Sequence, residues 1–325
     1  MELTITNQTT MGNCDFLGFS NAQKNIIKAL ELQGVEITAK ANKTLCHIGA
    51  HMFNPDKNKT NYLWFPYEAD TINAGIVDRI NQADQVIASC VHNKKVFIDG
   101  GVTKPISICK LGIDTEIFKP SRKPVKSKKF RFLWIGNPVD MRKGWDIAAK
   151  CFIEEFKEDE NVELYLKTTG KFHQDQIEIG SNIIFDSRNL ATADLIDLYE
   201  SSNVLLCTSR GEATYLPGLE AMSLKIPVMA PAIGGMKDFI NIDTAISLEY
   251  EYVAMDYKSN RKKGKTTQIE VPQVKQDHLK YRMRESVNNP MFSWHIKGMR
   301  KYIRKNHSLK PMGERLINII FNDNN

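Results

Sequence analysis

Two glutamates stand eight positions apart in Ser209-Arg210-Gly211-Glu212-Ala213-Thr214-Tyr215-Leu216-Pro217-Gly218-Leu219-Glu220-Ala221-Met222. The stretch follows an apolar run, Val204–Cys207, that reads as a buried strand. Gly211–Leu216 reads as the loop leaving it, and Pro217 suits the first turn of a helix. A strand-to-helix loop lies at the carboxyl edge of a parallel sheet, where ligands bind. Backbone N–H groups at such a helix start can hold a diphosphate. Glu212, in the loop, can accept hydrogen bonds from the hydroxyls of a sugar. Glu220, about two helical turns further on, can accept from those of a ribose. Taken alone the spacing is weak, because two acids at a helix end are equally read as surface residues.

The elements that would position this loop are legible on both sides of it. Met1–Asn7, Val35–Thr38, Thr44–Ile48, Asn61–Phe65, Gln85–Ser89 and Pro105–Ile108 read as strands. Helices alternate with them: one opened near Ser20 and stopped by Gly34, then Thr71–Ala83 and His92–Asp99. Ser121–Lys129 is polar, basic and proline-bearing, and reads as a linker. The rhythm then restarts with strands at Phe130–Ile135, Val162–Lys167, Ile183–Phe185, Val204–Cys207 and Pro227–Ala230. Helices are expected at Gly144–Phe156, Thr192–Ser201 and Pro217–Ser223. Two doubly wound α/β domains follow from this rhythm. Tyr257–Thr267 reads as a polar, mobile loop. From Leu279 onward the pattern is helical, with Tyr281, Met283, Met299, Tyr302, Ile303, Leu316 and Ile320 as buried candidates.

The 325 residues are 42% hydrophobic and 25% charged, ordinary for a folded globular protein long enough for two domains. No apolar run is long enough to span a membrane, and the N-terminus reads as a strand rather than a signal peptide. The six cysteines, Cys14, Cys46, Cys90, Cys109, Cys151 and Cys207, are scattered without metal-ligand spacing. A reducing, cytoplasmic location is the expectation. The net charge of +6 gathers at Lys119–Arg131, Tyr257–Lys265 and the last fifty or so residues. Such tracts are either solvated faces or contacts for an anionic partner.

With these residues in view, the chain resembles the retaining glycosyltransferases of family 4. Their motif runs roughly Ser-x-x-Glu-x7-Glu-Ala-Met, then Pro-Val and Gly-Gly. Here Ser209, Glu212, Glu220-Ala221-Met222, Pro227-Val228 and Gly234-Gly235 stand in that register. Leu198-Tyr199 with Ser201–Val204, Ile135-Gly136 with Arg142-Lys143-Gly144, and Gly112-Ile113-Asp114 with Phe118 and Pro120 resemble further elements in order. The resemblance covers about residues 80–245 and has the look of a compact phage or bacterial member.

It implies the GT-B fold: two Rossmann-like doubly wound domains facing across a cleft. Residues 1–120 would form the acceptor side and 121–300 the nucleotide-sugar domain, with a helix in 301–325 crossing back. The donor-binding set it implies is Gly18, Gly136, Asn137, Arg142, Lys143, Glu212, Ala213, Thr214, Tyr215, Leu216 and Glu220. Lys143 would contact the donor diphosphate, where a fixed cation stabilises developing charge. Asn137 stands where the family usually has arginine, and Arg142 is the candidate replacement. Gly12 and Gly18 would bring backbone close to the phosphate. His51, with His47 second, would lie near the reacting sugar carbon, so His51, Lys143 and Glu212 are the catalytic candidates. Glu68, in Phe65-Pro66-Tyr67-Glu68-Ala69-Asp70, is the acceptor-side candidate beside His47, or else a helix N-terminal acid. The implied reaction is metal-independent hexosyl transfer with retention, with UDP-glucose as the expected donor and no cofactor. The acceptor is a surface glycan or lipid, or hydroxymethylated phage DNA. Basic tracts Arg261-Lys262-Lys263 and Arg300–Lys305 suit phosphates. A non-catalytic nucleic-acid-binding protein on the same fold is the alternative.

Overall fold

The structure is a computed structural model describing residues 1–7, 17–122, 126–157, 159, 161–169, 180–241, 243–258, 266–289 and 298–322. Gly12, Cys14 and the Arg261-Lys262-Lys263 tract lie outside the described residues.

The first domain is a parallel sheet built from β1 (Glu2–Asn7), β2 (Glu36–Ile37), β3 (Lys43–His47), β4 (Thr60–Trp64), β5 (Gln85–Ala88) and β6 (Ile106–Ile108). Its order is β2-β1-β3-β4-β5-β6. Helices α1 (Leu17–Glu31), α2 (Ala74–Ile80) and α3 (Val91–Asp99) connect the strands. α1 begins at Leu17, before the Ser20 cap the sequence suggested. Ala22, Ile26, Ala29 and Leu30 give α1 a buried stripe of helical period, packed on Leu3 and Leu45 of the sheet.

The second domain repeats the plan. Strands β7 (Phe130–Gly136), β8 (Val162–Thr168), β9 (Ile183–Asp186), β10 (Val204–Leu206), β11 (Val228–Pro231) and β12 (Ile246–Leu248) lie in the order β12-β11-β10-β7-β8-β9, all parallel. Helices α4 (Trp145–Phe156), α5 (Thr192–Glu200) and α6 (Leu216–Ser223) cross over between them. Both sheets are doubly wound. Strand order reverses between β1 and β3 in the first and between β7 and β10 in the second. The crevice outside the carboxyl ends of the strands at such a reversal is the binding position of open α/β sheets.

Three elements differ from expectation. Of Tyr257–Thr267, read as a loop, 259–265 lie outside the described residues, and its two ends belong to antiparallel strands, β13 (Tyr250–Lys258) and β14 (Thr266–Val274). The lysines at its end masked an alternation in which Val253, Met255, Ile269 and Val271 are the less exposed positions and Ala254, Asp256, Gln268 and Glu270 the exposed ones. Ser121–Lys129, read as the linker, already binds the second domain: Ser121 N–H donates to Glu200 at 2.6 Å and Lys126 to the Ser202 carbonyl at 2.9 Å. The crossing lies earlier, through 112–118. Tyr281, expected in the core, is 59% exposed on α7 (Gln276–Asn288), whose buried face is Leu279, Met283 and Ser286.

The C-terminal segment is two helices rather than one. α8 (Met299–Asn306) packs Met299 and Ile303 into the second domain's core. α9 (Leu309–Ile317), continued to Asn322, packs Leu309, Met312, Leu316, Ile319 and Ile320 against α1 and the first sheet. The break at 307–308 is the second crossing between domains. It pairs with the first: Ile113 bridges Ser308 in parallel, and Ile113 N–H donates to the His307 carbonyl at 2.8 Å. Leu316 is fully buried between the helices. Leu316→Ala is expected to cost about 2–5 kcal/mol of stability by cavity formation, read by urea denaturation. A loss below about 0.5 kcal/mol, the size of a surface change, would place α9 outside the first domain's core.

Candidate functional site

Two loops meet at the β7/β10 reversal. One leaves β7 and ends in a 3-10 turn, Met141–Lys143, capped by Asp140, whose carboxylate accepts from Arg142 N–H at 3.1 Å. The other leaves β10 and runs to α6. Two hydrogen bonds to main-chain carbonyls join them: Arg210 N–H donates to the Arg142 carbonyl at 2.7 Å, and the Thr208 hydroxyl to the Gly144 carbonyl at 2.6 Å. Gly144 is required here twice over. Its φ is +70°, and a Cβ would stand 2.1 Å from the Thr208 carbonyl oxygen. Gly235 N–H then donates to the Glu212 carbonyl at 2.7 Å, tying the Gly-Gly turn after β11 to the same loop.

This frame sets Lys143 against Glu212, Nζ to Oε1, at 2.6 Å. Arg142 Nη1 is 3.4 Å from the same oxygen and donates to the Gly211 carbonyl, while Nη2 reaches Asp140 at 2.9 Å. Arg142 is therefore turned into the site rather than to solvent. Burial alone would raise the carboxyl pKa of Glu212, but Lys143 and then Arg142 outweigh it and hold it below the usual value. For Arg142 burial opposes the charge, and the carboxylates of Glu212, Glu68 and Asp140 overcome it and raise its pKa. Glu220 sits inside α6 and accepts from the Tyr199 hydroxyl at 2.7 Å. Its burial pushes its pKa up to about 7, against the pull of that hydrogen bond. Ala213 and Tyr215 are buried, and Thr214 and Leu216 are half-buried beside them.

Other expected residues lie differently. Asn137 follows Gly136 at the end of β7 and spends its side-chain oxygen on Val139 N–H at 3.0 Å, closing its own turn. Gly18 is exposed in the first turn of α1, where a Cβ would meet nothing within 4 Å, so no close backbone approach requires a glycine there. His47 is buried between Phe19 and Trp64 at ring-centroid distances of 5.2 and 5.7 Å. Desolvation lowers its pKa to about 4, so it is a neutral core residue near pH 7. His51 is exposed in a 3-10 turn, Ala50–Met52, at the carboxyl end of β3, with its ring folded over Gly49. Glu68 reaches the second domain: its Oε1 lies 3.9 Å from Arg142 Nη2. Sequence reasoning missed Asp140, which caps the turn, and Tyr199, whose role was invisible because its partner is 21 positions away. Among the described residues no group of three or more His, Cys, Asp or Glu is placed to hold a metal ion, and no helix is long and apolar enough to cross a membrane.

The class these features define is a GT-B protein: two parallel-sheet Rossmann-like domains with a polar cluster on the second sheet's switch point. Residues 129–251, which include the whole Lys143–Glu212 frame, match the family described as glycosyl transferases group 1. Over 115 residues, 35% of the chain, it is 31% identical to uncharacterized protein 356 of Sulfolobus islandicus rod-shaped virus 1. The match spans about a third (32%) of that relative's length. Among solved structures it is similar to Anabaena Alr3699/HepE, in complex with UDP and glucose, with a TM-score of 0.66, 11% identity and 98% of each chain covered. It is also similar to a trehalose-6-phosphate synthase studied with bisubstrate glycomimetics for glycosyl transfer with retention, at a TM-score of 0.63 and 11% identity over 91% of this chain and 77% of that one.

The Glu220 environment makes stability depend on pH. The native carboxyl keeps its proton up to about pH 7, whereas an unfolded glutamate releases it near 4.5. Between these values the native state binds more protons, so stability falls as pH rises. Full loss is on the order of 3 kcal/mol. Glu220→Gln keeps an acceptor for Tyr199 and removes the titration. Its melting temperature should decline less than the wild type's between about pH 5 and 8. Parallel profiles would refute the raised pKa.

Proposed function

We propose that the protein is a retaining, metal-independent hexosyltransferase that takes glucose from UDP-glucose. The Lys143–Glu212 pair in the β7/β10 crevice carries this reading, since it sets a cation and an acid within 2.6 Å where α/β sheets bind ligands. Lys143 and Arg142 would receive the diphosphate, with the N-terminus of α6 beside them. Glu212 would then accept from sugar hydroxyls and Glu220 from the ribose. The match of residues 129–251 to the group 1 family supports the class, and UDP and glucose in HepE support the donor.

In the proposed reaction the bond from the anomeric carbon to the diphosphate oxygen breaks. The acceptor oxygen bonds to that carbon on the same face, and its proton passes to the leaving phosphate oxygen. The residues' work is electrostatic: Lys143 and Arg142 stabilise the charge growing on the diphosphate. His51, on the first domain's sheet edge, is the candidate for contact with the sugar near the reacting carbon. The acceptor is a hydroxyl of a surface glycan or lipid, or of hydroxymethylated DNA. The exposed Lys301, Arg304 and Lys305 of α8 favour a phosphate-bearing acceptor.

Thermal stabilisation with a panel of UDP-, GDP- and ADP-sugars should single out UDP-glucose. No response to any of them would sink the enzyme reading. Lys143→Ala and Glu212→Ala should each lower transfer by about 10²-fold or more. Labelled sugar offered to hydroxymethyl-pyrimidine DNA, unmodified DNA and glycolipid decides the acceptor: label on glycolipid alone eliminates DNA.

A further inference from the structure

The loop after β4 touches the second domain at two points. Asp70 accepts from the Tyr252 hydroxyl of the β13–β14 hairpin at 2.8 Å, and is held from behind by His92 of α3 at 3.0 Å. Two residues earlier, the Glu68 carbonyl lies so close to Gly211 that a Cβ there would stand 2.3 Å from its oxygen. The Glu68 carboxylate faces Arg142 across the cleft. Three carboxylates, Glu68, Asp140 and Glu212, thus surround the two cations Arg142 and Lys143 among the described residues.

A guanidinium has a fixed fork of donors. Nη1 donates to the Gly211 carbonyl and lies 3.4 Å from Glu212; Nη2 donates to Asp140 and lies 3.9 Å from Glu68, an ion pair without a hydrogen bond. A diphosphate seated on Arg142 and Lys143 has to share their positive charge with these carboxylates. Glu212 is 4% exposed and held at 2.6 Å by Lys143, and Asp140 belongs to the same turn at 2.9 Å. Glu68 is the most distant at 3.9 Å, is 37% exposed, and stands on the other domain. Burial raises its pKa, with the Glu212 and Asp140 charges adding to the rise, against the opposing pull of Arg142 and Lys143.

We infer that Glu68 is a cross-cleft counter-charge that competes with the donor's diphosphate for Arg142, and so favours release of the nucleoside diphosphate product. The inference rests on the glycosyltransferase reading above. Glu68 yields Arg142 to the diphosphate when the donor binds and recaptures it when the sugar has gone. Removing its charge therefore tightens diphosphate binding rather than weakening it.

Calorimetry with UDP, GDP and ADP, and with uridine, guanosine and adenosine as phosphate-free controls, tests this. Glu68→Gln is expected to bind the preferred nucleoside diphosphate about three- to tenfold more tightly, with nucleoside affinity unchanged. Glu68→Asp keeps the charge and should stay near wild type. In an Arg142→Ala background, itself weaker for the diphosphate, Glu68→Gln should add nothing. During turnover the Gln variant should show a lower donor KM and stronger product inhibition. Glu68→Ala repeats the measurement if the amide impairs folding. Unchanged or weaker diphosphate binding by the uncharged variants, an equal shift with nucleosides, or a shift that survives Arg142→Ala overturns the inference. A wild-type protein that binds none of the diphosphates overturns the donor-site reading as well, which separates the two failures.

Discussion

A carboxylate buried as deeply as that of Glu212 needs a cation beside it, and most of the second domain's loop structure serves that need. Transferring an unpaired carboxylate out of water costs several kcal/mol. Lys143 meets it because two strands adjacent in the sheet, β7 and β10, send their loops out at the same edge. Those loops are joined by the Arg210–Arg142 main-chain bond and by the Thr208 hydroxyl on the Gly144 carbonyl, so the pair rests on a frame outside its own side chains. The Gly-Gly turn after β11 closes the third side. A site built in this way is preorganised, which is what stabilising a developing charge requires.

The same economy of backbone contacts joins the domains. The two crossings lie side by side at Ile113 and Ser308. Arg300 fastens them to the second domain, donating to the carbonyls of Phe118 at 2.9 Å, Ser223 at 2.6 Å and Thr115 at 3.0 Å. Lys28 of α1 holds Asp114 at 2.6 Å from the other side. At the opposite end of the interface, Glu68 and Asp70 meet Arg142 and Tyr252. The interface thus has paired crossings at one end and polar contacts beside a close backbone approach at the other.

Much of the polar cluster at the β7/β10 crevice was legible in the chain. Glu212, Glu220, Lys143 and Gly144 could be picked out because each sits at a strand–loop–helix junction with its own local signature. Arg142 could be named but not oriented, since local sequence allows its side chain to face either way; the Asp140 and Glu212 carboxylates decide it. The histidines show the opposite case. His47 looked like chemistry and is core, because β3 is flanked by strands on both sides and turns that residue between Phe19 and Trp64.

By itself the sequence determined the two parallel sheets, since apolar runs alternating with helix-period stripes admit little else. It also determined which loops would lie at their carboxyl edges. Only the tertiary structure decided which side chains meet there. Glu220 with Tyr199 and Glu68 with Arg142 are partners 21 and 74 residues apart, and contacts over such separations leave no period or spacing in the chain. The β13–β14 hairpin was lost for a related reason: strand pairing is cross-chain, and the lysines at its end spoke more loudly than the alternation beside them.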